Sequence, residues 1–296
     1  MRVSFVLALA ASALSASAAA QMAQPAPPPA AANADPVAAE RIKPFQYLYG
    51  SAEAAALSIE SWHALVDFAR QRVRHHPKDS VVLAPGATFE APRFVPCGHK
   101  PIAAVFDVDE TVILNLGLES WAAMGHPSGG GVSARWAQTG ANAVAPVPGA
   151  VYGINALRKM GVTVIFNTNR STKDAEGTAD AIAAAGLGRP VHLKTLLLAG
   201  DDDMGPRKDG RRWTIARKYC VITLAGDQLV DISDVFNPPG IALADRREAA
   251  SRGWVAQMWG NGWFVLPNPV YGSGLRGTVD DIFPADKRWT DTGAAQ

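Results

Sequence analysis

Four short apolar runs, each set off by a helix-length stretch or a loop, constrain this chain more than any other feature. They are "PIAAVF" (101–106), "VTVIFN" (162–167), "VHLKTLLL" (191–198) and "CVITLAG" (220–226). Strands this continuously apolar belong in a sheet covered on both faces. Between the first two runs, "GAVYGINALRKMG" (149–161) spaces Val151, Ile154 and Leu157 for one helical face and stops at Gly161. A second helix is predicted from Ser171 to about Ala185, stopping at Gly186. The alternation predicts an α/β fold, a parallel sheet with helices on both faces. Ligands of such sheets sit beyond the carboxyl ends of the strands, so the residues that follow each run carry the functional reading.

After the first run, "AAVFDVDETVILN" places Asp107, Asp109 and Glu110 within four positions. Carboxylates that close repel one another and are costly beside a core. The other strand ends supply what would tolerate them. Asn167-Thr168-Asn169-Arg170 follows the second run, "MGPRKDGRRW" with Lys208 follows the third, and Asp227, Asp231 and Asp234 follow the fourth. Asp107 and Asp227 at neighbouring strand ends form a hard oxygen site suited to Mg²⁺. The chemistry that uses these parts is phosphoryl transfer through a carboxylate. Asp107 attacks phosphorus, and Asp109 is offset to serve the leaving oxygen and then water. Thr168 and the Asn169 amide hold phosphoryl oxygens while Lys208 and Mg²⁺ spread the charge. The competing reading of "DVDET" is a solvated acidic loop. For Arg211, Arg212 and Arg217, a functional role and a solvated helix face stand open.

The remaining chain of the 296 residues divides by composition. Residues 1–20 read as a signal peptide, with one basic residue, an apolar stretch and an A-x-A ending before Gln21. Residues 21–40, rich in Pro and Ala, read as an extended linker. The only cysteines are Cys97 and Cys220, far from the cleavage point, which argues against a lipid anchor. The expectation is a soluble protein, secreted or periplasmic, with no membrane span. The formal net charge of +1 gives no field for nucleic acid or a membrane surface. From Ser51 a helix is predicted with Leu65, Val66, Ala69 and Val73 on one face, and Ser58 or Ser61 could cap an internal restart. Trp62, Phe68, Trp254, Trp259 and Trp263 read as core. "GSGLRG" (272–277) lacks the strand–turn–helix context of a dinucleotide loop and reads as a turn.

These residues carry a resemblance. "DVDET", Thr168, Lys208 and "GDQLVD" resemble the four signature motifs of the haloacid dehalogenase (HAD) superfamily. Within it "VFDVDETVILN", "APVPGAV", "NTNR", "KDGRR", "LPNPVYG" and "YLYGSAEAAALS" are similar to segments of the class C (subfamily IIIB) acid phosphatases, a secreted 5′-nucleotidase group. The likeness spans roughly residues 45–275. It implies a Rossmann-like core with a smaller helical cap in one domain over 41–296, the cap parts at about 41–95 and 116–145. It also implies Mg²⁺ dependence, an acidic optimum and phosphomonoester substrates, 5′-nucleotides among them.

Carried over by position, the resemblance makes Asp107 nucleophile and metal ligand, and Asp109 acid/base and metal ligand through its carbonyl. Thr168 and Lys208 bind phosphate, Asp227 binds metal, and Asp231 supports the metal from behind. Gln228, Ile232 and Leu118 depart from the family pattern and bear on the pocket. An acid at position 109 separates phosphatases from relatives that lack it. The alternatives are a phosphotransferase of the same fold and an exported nucleotide-binding protein with vestigial turnover. Trp121 and Trp136 lie in the cap segment, and Tyr47, Tyr49 and Tyr271 in family-like pieces; of these Tyr47, Tyr49, Trp121 and Tyr271 are candidates to stack on the leaving group. Convergence of Asp107 and Asp227 makes their strands neighbours, with Cys97 and Cys220 near the opposite rim. A disulfide is open to them in an oxidising compartment, though two buried thiols are the favoured reading.

Overall fold

A computed structural model describes residues 36–291 and 293. The predicted signal peptide and the linker up to residue 35 lie outside the described residues. Residues 36–40, assigned to the linker, instead open helix α1 (Pro36–Phe45), which passes through a π-helical turn (Gln46–Gly50) into α2 (Ala52–Arg74). Ser51 caps α2, its Oγ accepting from the Ala54 amide at 3.0 Å. The helix runs unbroken through Ser58 and Ser61, so the internal restart does not occur.

Strands β1 (Asp79–Leu83) and β2 (Phe94–Pro96) pair antiparallel, and β3 (Ile102–Phe106) follows. The short antiparallel pair β4 (Ile113–Leu114) and β5 (Ala145–Pro146) brackets helices α3 (Leu116–Ala123) and α4 (Gly131–Thr139). Then come α5 (Ala150–Lys159), β6 (Thr163–Ser171), α6 (Ala175–Ala184), β7 (Leu196–Ala199), α7 (Asp209–Lys218) and β8 (Cys220–Gly226). Helices α8 (Leu243–Ser251) and α9 (Gly253–Met258) precede β9 (Trp263–Val265). The main sheet has the order β7-β6-β3-β8-β9, all neighbours parallel, with β3 in the middle.

Alternation along the strands divides two cores. Ala104, Phe106, Val164 and Phe166 face α2, α5 and α6, while Ala103, Val105 and Ile165 face α7, the β1–β2 pair and the Trp263 cluster. Trp62 of α2 stacks on Phe106 with ring centroids 5.2 Å apart. It lies so close to α5 that a Cβ on Gly153 would stand 2.2 Å from Trp62 Cε3. Trp62→Ala would cost roughly 3–5 kcal/mol by the usual large-to-small scale. Helix α2 and the β1–β2 pair therefore pack on the sheet, and the expected cap over 41–95 does not hold for them.

Other sequence expectations change in detail. The third strand is shorter than predicted, because Val191–Thr195 forms a turn in which Leu193 has φ 62°. The second runs on to Ser171, so its helix begins at Ala175. Val151 is 36% exposed, and Ala150, Gly153, Ile154 and Leu157 make the buried face of α5. Trp263, expected only as core, also forms the fifth strand.

Cys97 and Cys220 are joined as a disulfide, Cα atoms 4.6 Å apart, where two thiols were favoured. The Cys97 amide donates to Lys78 O and the Cys220 amide to Pro101 O, both at 2.8 Å, which sets the two residues face to face. A link closing 123 residues stabilises by about 5 kcal/mol if chain entropy dominates.

Candidate active site

The carboxyl ends of β3, β6 and β8 open into a cleft of about 500 Å³. A larger cleft of about 910 Å³ at the opposite rim is lined by His76, Lys78, His99 and Lys100 and no carboxylate, so chemistry and not size selects the first. Beyond β3 the chain turns tightly: the amides of Thr111, Val112 and Ile113 all donate to Val108 O, and Glu110 sits at φ 52°. Asp107, Asp109 and Glu110 all line the cleft, and the Glu110 carboxylate meets Tyr49 and Tyr271.

Asp107, Asp227 and Asp231 come together, with one carboxylate oxygen from each lying within 4.8 Å of the others, and all three are buried. Lys208 Nζ donates to Asp107 Oδ1 and, at 2.6 Å, to Asp231 Oδ1. Asp234 fixes the start of α7 behind it, accepting from the amides of Lys208 (3.0 Å) and Asp209 (2.8 Å). Asp227 Oδ2 accepts from Gln228 Nε2 (2.9 Å) and Asn268 Nδ2 (2.7 Å). Burial, then Asp231, pushes the Asp227 carboxyl up to about 7, and burial likewise raises Asp107. Fully ionised, the three buried carboxylates would exceed the one ammonium by two negative charges, which a divalent cation would balance. An all-oxygen donor set suits a hard cation, so the residues fit a metal of that kind.

Asp109 is held differently. Arg170 grips it with Nη2 at 2.7 Å and Nε at 3.0 Å from Oδ1, and Asn115 Nδ2 donates at 2.8 Å. Burial opposes the charge, but Arg170 and these hydrogen bonds hold the carboxyl below its usual range. Asn115 Oδ1 in turn accepts from Arg170 Nη2 (2.9 Å) and from Trp136 Nε1 of α4 (3.0 Å). Thr168 is fully buried, its Oγ1 accepting from the Arg170 amide at 3.1 Å and lying 3.5 Å from Asp109 Oδ2. Asn169 is exposed on the cleft wall.

Arg211 and Arg212 are buried and structural. Arg211 donates to Thr168 O and Asn169 Oδ1, and Arg212 to Asp209 and Val230 O. The solvated-face reading fails for both. It holds for Arg217, whose Nη2 donates to Thr214 Oγ1 on the exposed side of the helix.

Glu110, quoted in the sequence without a role, ties three segments together. Its carboxylate accepts from Tyr49 OH (3.2 Å), Tyr271 OH, and the Asn115 amide (2.9 Å) and side chain. Tyr49 and Tyr271 are thereby committed as hydrogen-bond donors, though Tyr271 still reaches the cleft wall. Tyr47 is half exposed, and Trp121 stacks on His126 with its Nε1 donating to Pro127 O, away from the cleft. Phe45 and Trp136 take the wall positions instead. Helix α4 brings Trp136 inward, whereas Trp121 closes the loop after α3.

Arg170, Asn115 and Asn268 hold site carboxylates, and the pattern of strand ends in the sequence gives them no role. The signal for Arg170 was its spacing of two from Thr168, which in a strand puts both on one face. Gln228, a departure from the family pattern, has a visible task. It holds Asp227, donates to Tyr271 O (3.2 Å) and accepts from the Ser273 amide (3.2 Å), close enough that Gly272 has no room for a Cβ.

The sequence matches the family model of the HAD superfamily, subfamily IIIB (Acid phosphatase), over residues 52–274. No curated protein matches it. The structure of the class C acid phosphatase from Bacillus anthracis superposes with TM-score 0.63 at 18% identity, covering 80% of this chain and 87% of that one. The crystal structure of the class C acid phosphatase from Bacillus anthracis with tungstate bound gives TM-score 0.61 at 19% identity with the same coverage. The structural likeness shows the shared fold, and the family match covers all three strand ends that build the cleft. The chain belongs to the HAD superfamily, subfamily IIIB, the acid phosphatases, and its activity is that of a phosphomonoesterase.

Proposed function

We propose an exported, Mg²⁺-dependent acid phosphatase that hydrolyses phosphomonoesters, 5′-nucleotides among them, through an aspartyl-phosphate on Asp107. The observation that carries this is the buried Asp107 at the end of the central strand, paired with Lys208 and flanked by Asp227, Asp231 and Asp109. An Asp107 oxygen attacks phosphorus and the ester P–O bond breaks. The proton that the monoanionic ester brings at mildly acidic pH passes by way of Asp109 to the departing alcohol oxygen. Water then attacks the phosphorus of the aspartyl-phosphate, its proton passes to Asp109, and the P–O bond to Asp107 breaks. Lys208, the Asn169 amide and the Thr168 hydroxyl face the phosphoryl oxygens. Asp107, Asp227 and the Asp109 carbonyl, with Asp231 behind, would hold Mg²⁺, which when bound would neutralise charge at the phosphoryl group.

Two observations favour export: the leader-like composition of residues 1–20 and the Cys97–Cys220 disulfide, a bond that persists in oxidising compartments. The aromatic wall of Phe45, Trp136 and Tyr271 suits a nucleobase.

The test is phosphate release from p-nitrophenyl phosphate and a 5′-nucleotide panel at mildly acidic pH, with Mg²⁺ or EDTA, beside Asp107→Asn. Metal-dependent turnover lost in the variant is expected. Turnover that survives Asp107→Asn would sink the aspartyl-phosphate route. Phosphate falling short of alcohol released would identify a phosphotransferase.

A further inference from the structure

We infer that Glu119 determines substrate specificity by accepting a hydrogen bond from a donor group, hydroxyl or ammonium, carried by the leaving group of the ester. This rests on the phosphomonoesterase reading of the cleft and names which leaving groups the cleft prefers.

Glu119 lies on α3, is 9% exposed and lines the cleft together with Asp109. The other acids of the cleft have protein partners. Asp109 has Arg170 and Asn115, Glu110 has two tyrosines and Asn115, Asp227 has Gln228 and Asn268, and Asp107 and Asp231 share Lys208. Among the described residues, no hydrogen bond or ion pair reaches the Glu119 carboxylate. Glu119 is nine-tenths buried as a residue, its carboxylate meets no donor from the protein, and a bound ester that covered it would add a desolvation cost unless the ester supplied one. The neighbouring wall cannot supply one: Leu118, Ala122 and Phe45 are apolar, Trp136 Nε1 is committed to Asn115, and Ser133 Oγ donates to Ser128 O at 2.9 Å. Asp109 is near enough that its charge, after burial, helps push the Glu119 carboxyl up to about 7.

Glu119 lines the cleft from α3, whereas Asp107 and Asp227 line it from the ends of β3 and β8, so an ester with its phosphate at Asp107 can extend its alcohol portion toward α3. A leaving group with a donor there removes the unpaired state, and one without a donor leaves the acid buried and unsatisfied. Sites built around such a group discriminate strongly against ligands that lack its partner.

The experiment compares kcat/KM within matched pairs for wild type, Glu119→Gln and Glu119→Ala. One pair is a 5′-nucleotide and its 2′,3′-dideoxy analogue, the other O-phosphoethanolamine and ethyl phosphate. The ratio within each pair is the readout. Wild type is expected to favour the donor-bearing member of one pair by about 10- to 100-fold. Glu119→Ala should bring that ratio to within about threefold of unity. Glu119→Gln, nearly isosteric and so a guard against misfolding of the alanine variant, separates the sources. It keeps part of a hydroxyl preference, because the amide oxygen still accepts, and loses an ammonium preference. A wild-type enzyme without preference in either pair, or a preference that both variants retain, would overturn the inference. Turnover of p-nitrophenyl phosphate by wild type is scored separately, so loss of the phosphatase reading and loss of the Glu119 inference are told apart.

Discussion

On the sheet side of the cleft, the side chains proposed to react are held by several donors, often from separate elements. Arg170 of β6 and Asn115 hold Asp109, while Gln228 and Asn268 hold Asp227. Lys208 and the Gln228 amide hold Asp231. On the cap side, α3 and α4 reach these groups, among the described residues, through one side-chain hydrogen bond, from Trp136 to Asn115. The sheet side is preorganised, which is what stabilising a developing charge requires. The cap side has few ties to that machinery, so its residues can vary with the substrate while the chemistry stays fixed. Substitutions on the two sides should therefore differ in size and in kind.

Asp107→Asn is expected to have the largest effect, lowering kcat/KM by roughly 10⁴-fold or more. Lys208 keeps Asp231 as a partner in that variant, so the melting temperature should hold. A thermal melt beside the kinetics checks both. Collapse of the fold would mean that Asp107 is as much a structural as a chemical group, and would blunt the contrast between the sides. Asp227→Asn, or EDTA on wild type, should cost roughly 10²–10³-fold. Asn268→Ala should weaken metal binding about 10- to 100-fold, with activity recovering as Mg²⁺ is raised. A loss that Mg²⁺ cannot restore would show that Asn268 acts on something other than Asp227.

Arg170→Lys sharpens the comparison further. The lysine retains the charge and loses the fork that holds Asp109 at two points, so kcat should fall roughly 10²-fold while KM moves little. Arg170→Ala should fall further. Equal losses in kcat and KM would place Arg170 on the substrate and not behind Asp109.

The sheet side was the more legible in sequence, for a physical reason. Asp107 and Asp109 come from one short stretch whose apolar strand announces itself, and Lys208 and Asp227 from others read the same way. What escaped was whatever depends on a strand outrunning its apolar run or on distant chain. Arg170 lies on β6 beyond its expected end at residue 167. Asn268 reaches Asp227 across 41 residues. Three residues of β9 give too little alternation to read as a strand. Periodicity found the buried face of α2 but not its partner, because the stacking of Trp62 on Phe106 is a tertiary fact. The disulfide likewise depended on how closely β2 and β8 approach. For the cap wall, composition offered several aromatics and no way to choose among them, since orientation on α3 and α4 decides which ring faces inward.

Trp136→Phe tests the hydrogen bond that joins α4 to Asn115 and should have the smallest effect. The ring remains on the wall, so stacking on a leaving group is kept. The Nε1 donor to Asn115 is lost, and Asn115 Oδ1 then keeps only Arg170. One neutral hydrogen bond is worth about 1 kcal/mol, and a barrier raised by that much slows kcat about fivefold. Because the lost bond acts through Asn115 on Asp109, the fall should appear in kcat even with p-nitrophenyl phosphate. If KM for nucleotides rises and kcat stays constant, Trp136 serves the leaving group alone. The cap would then be independent of Asp109, and the two sides would be more separate than the hydrogen bond implies.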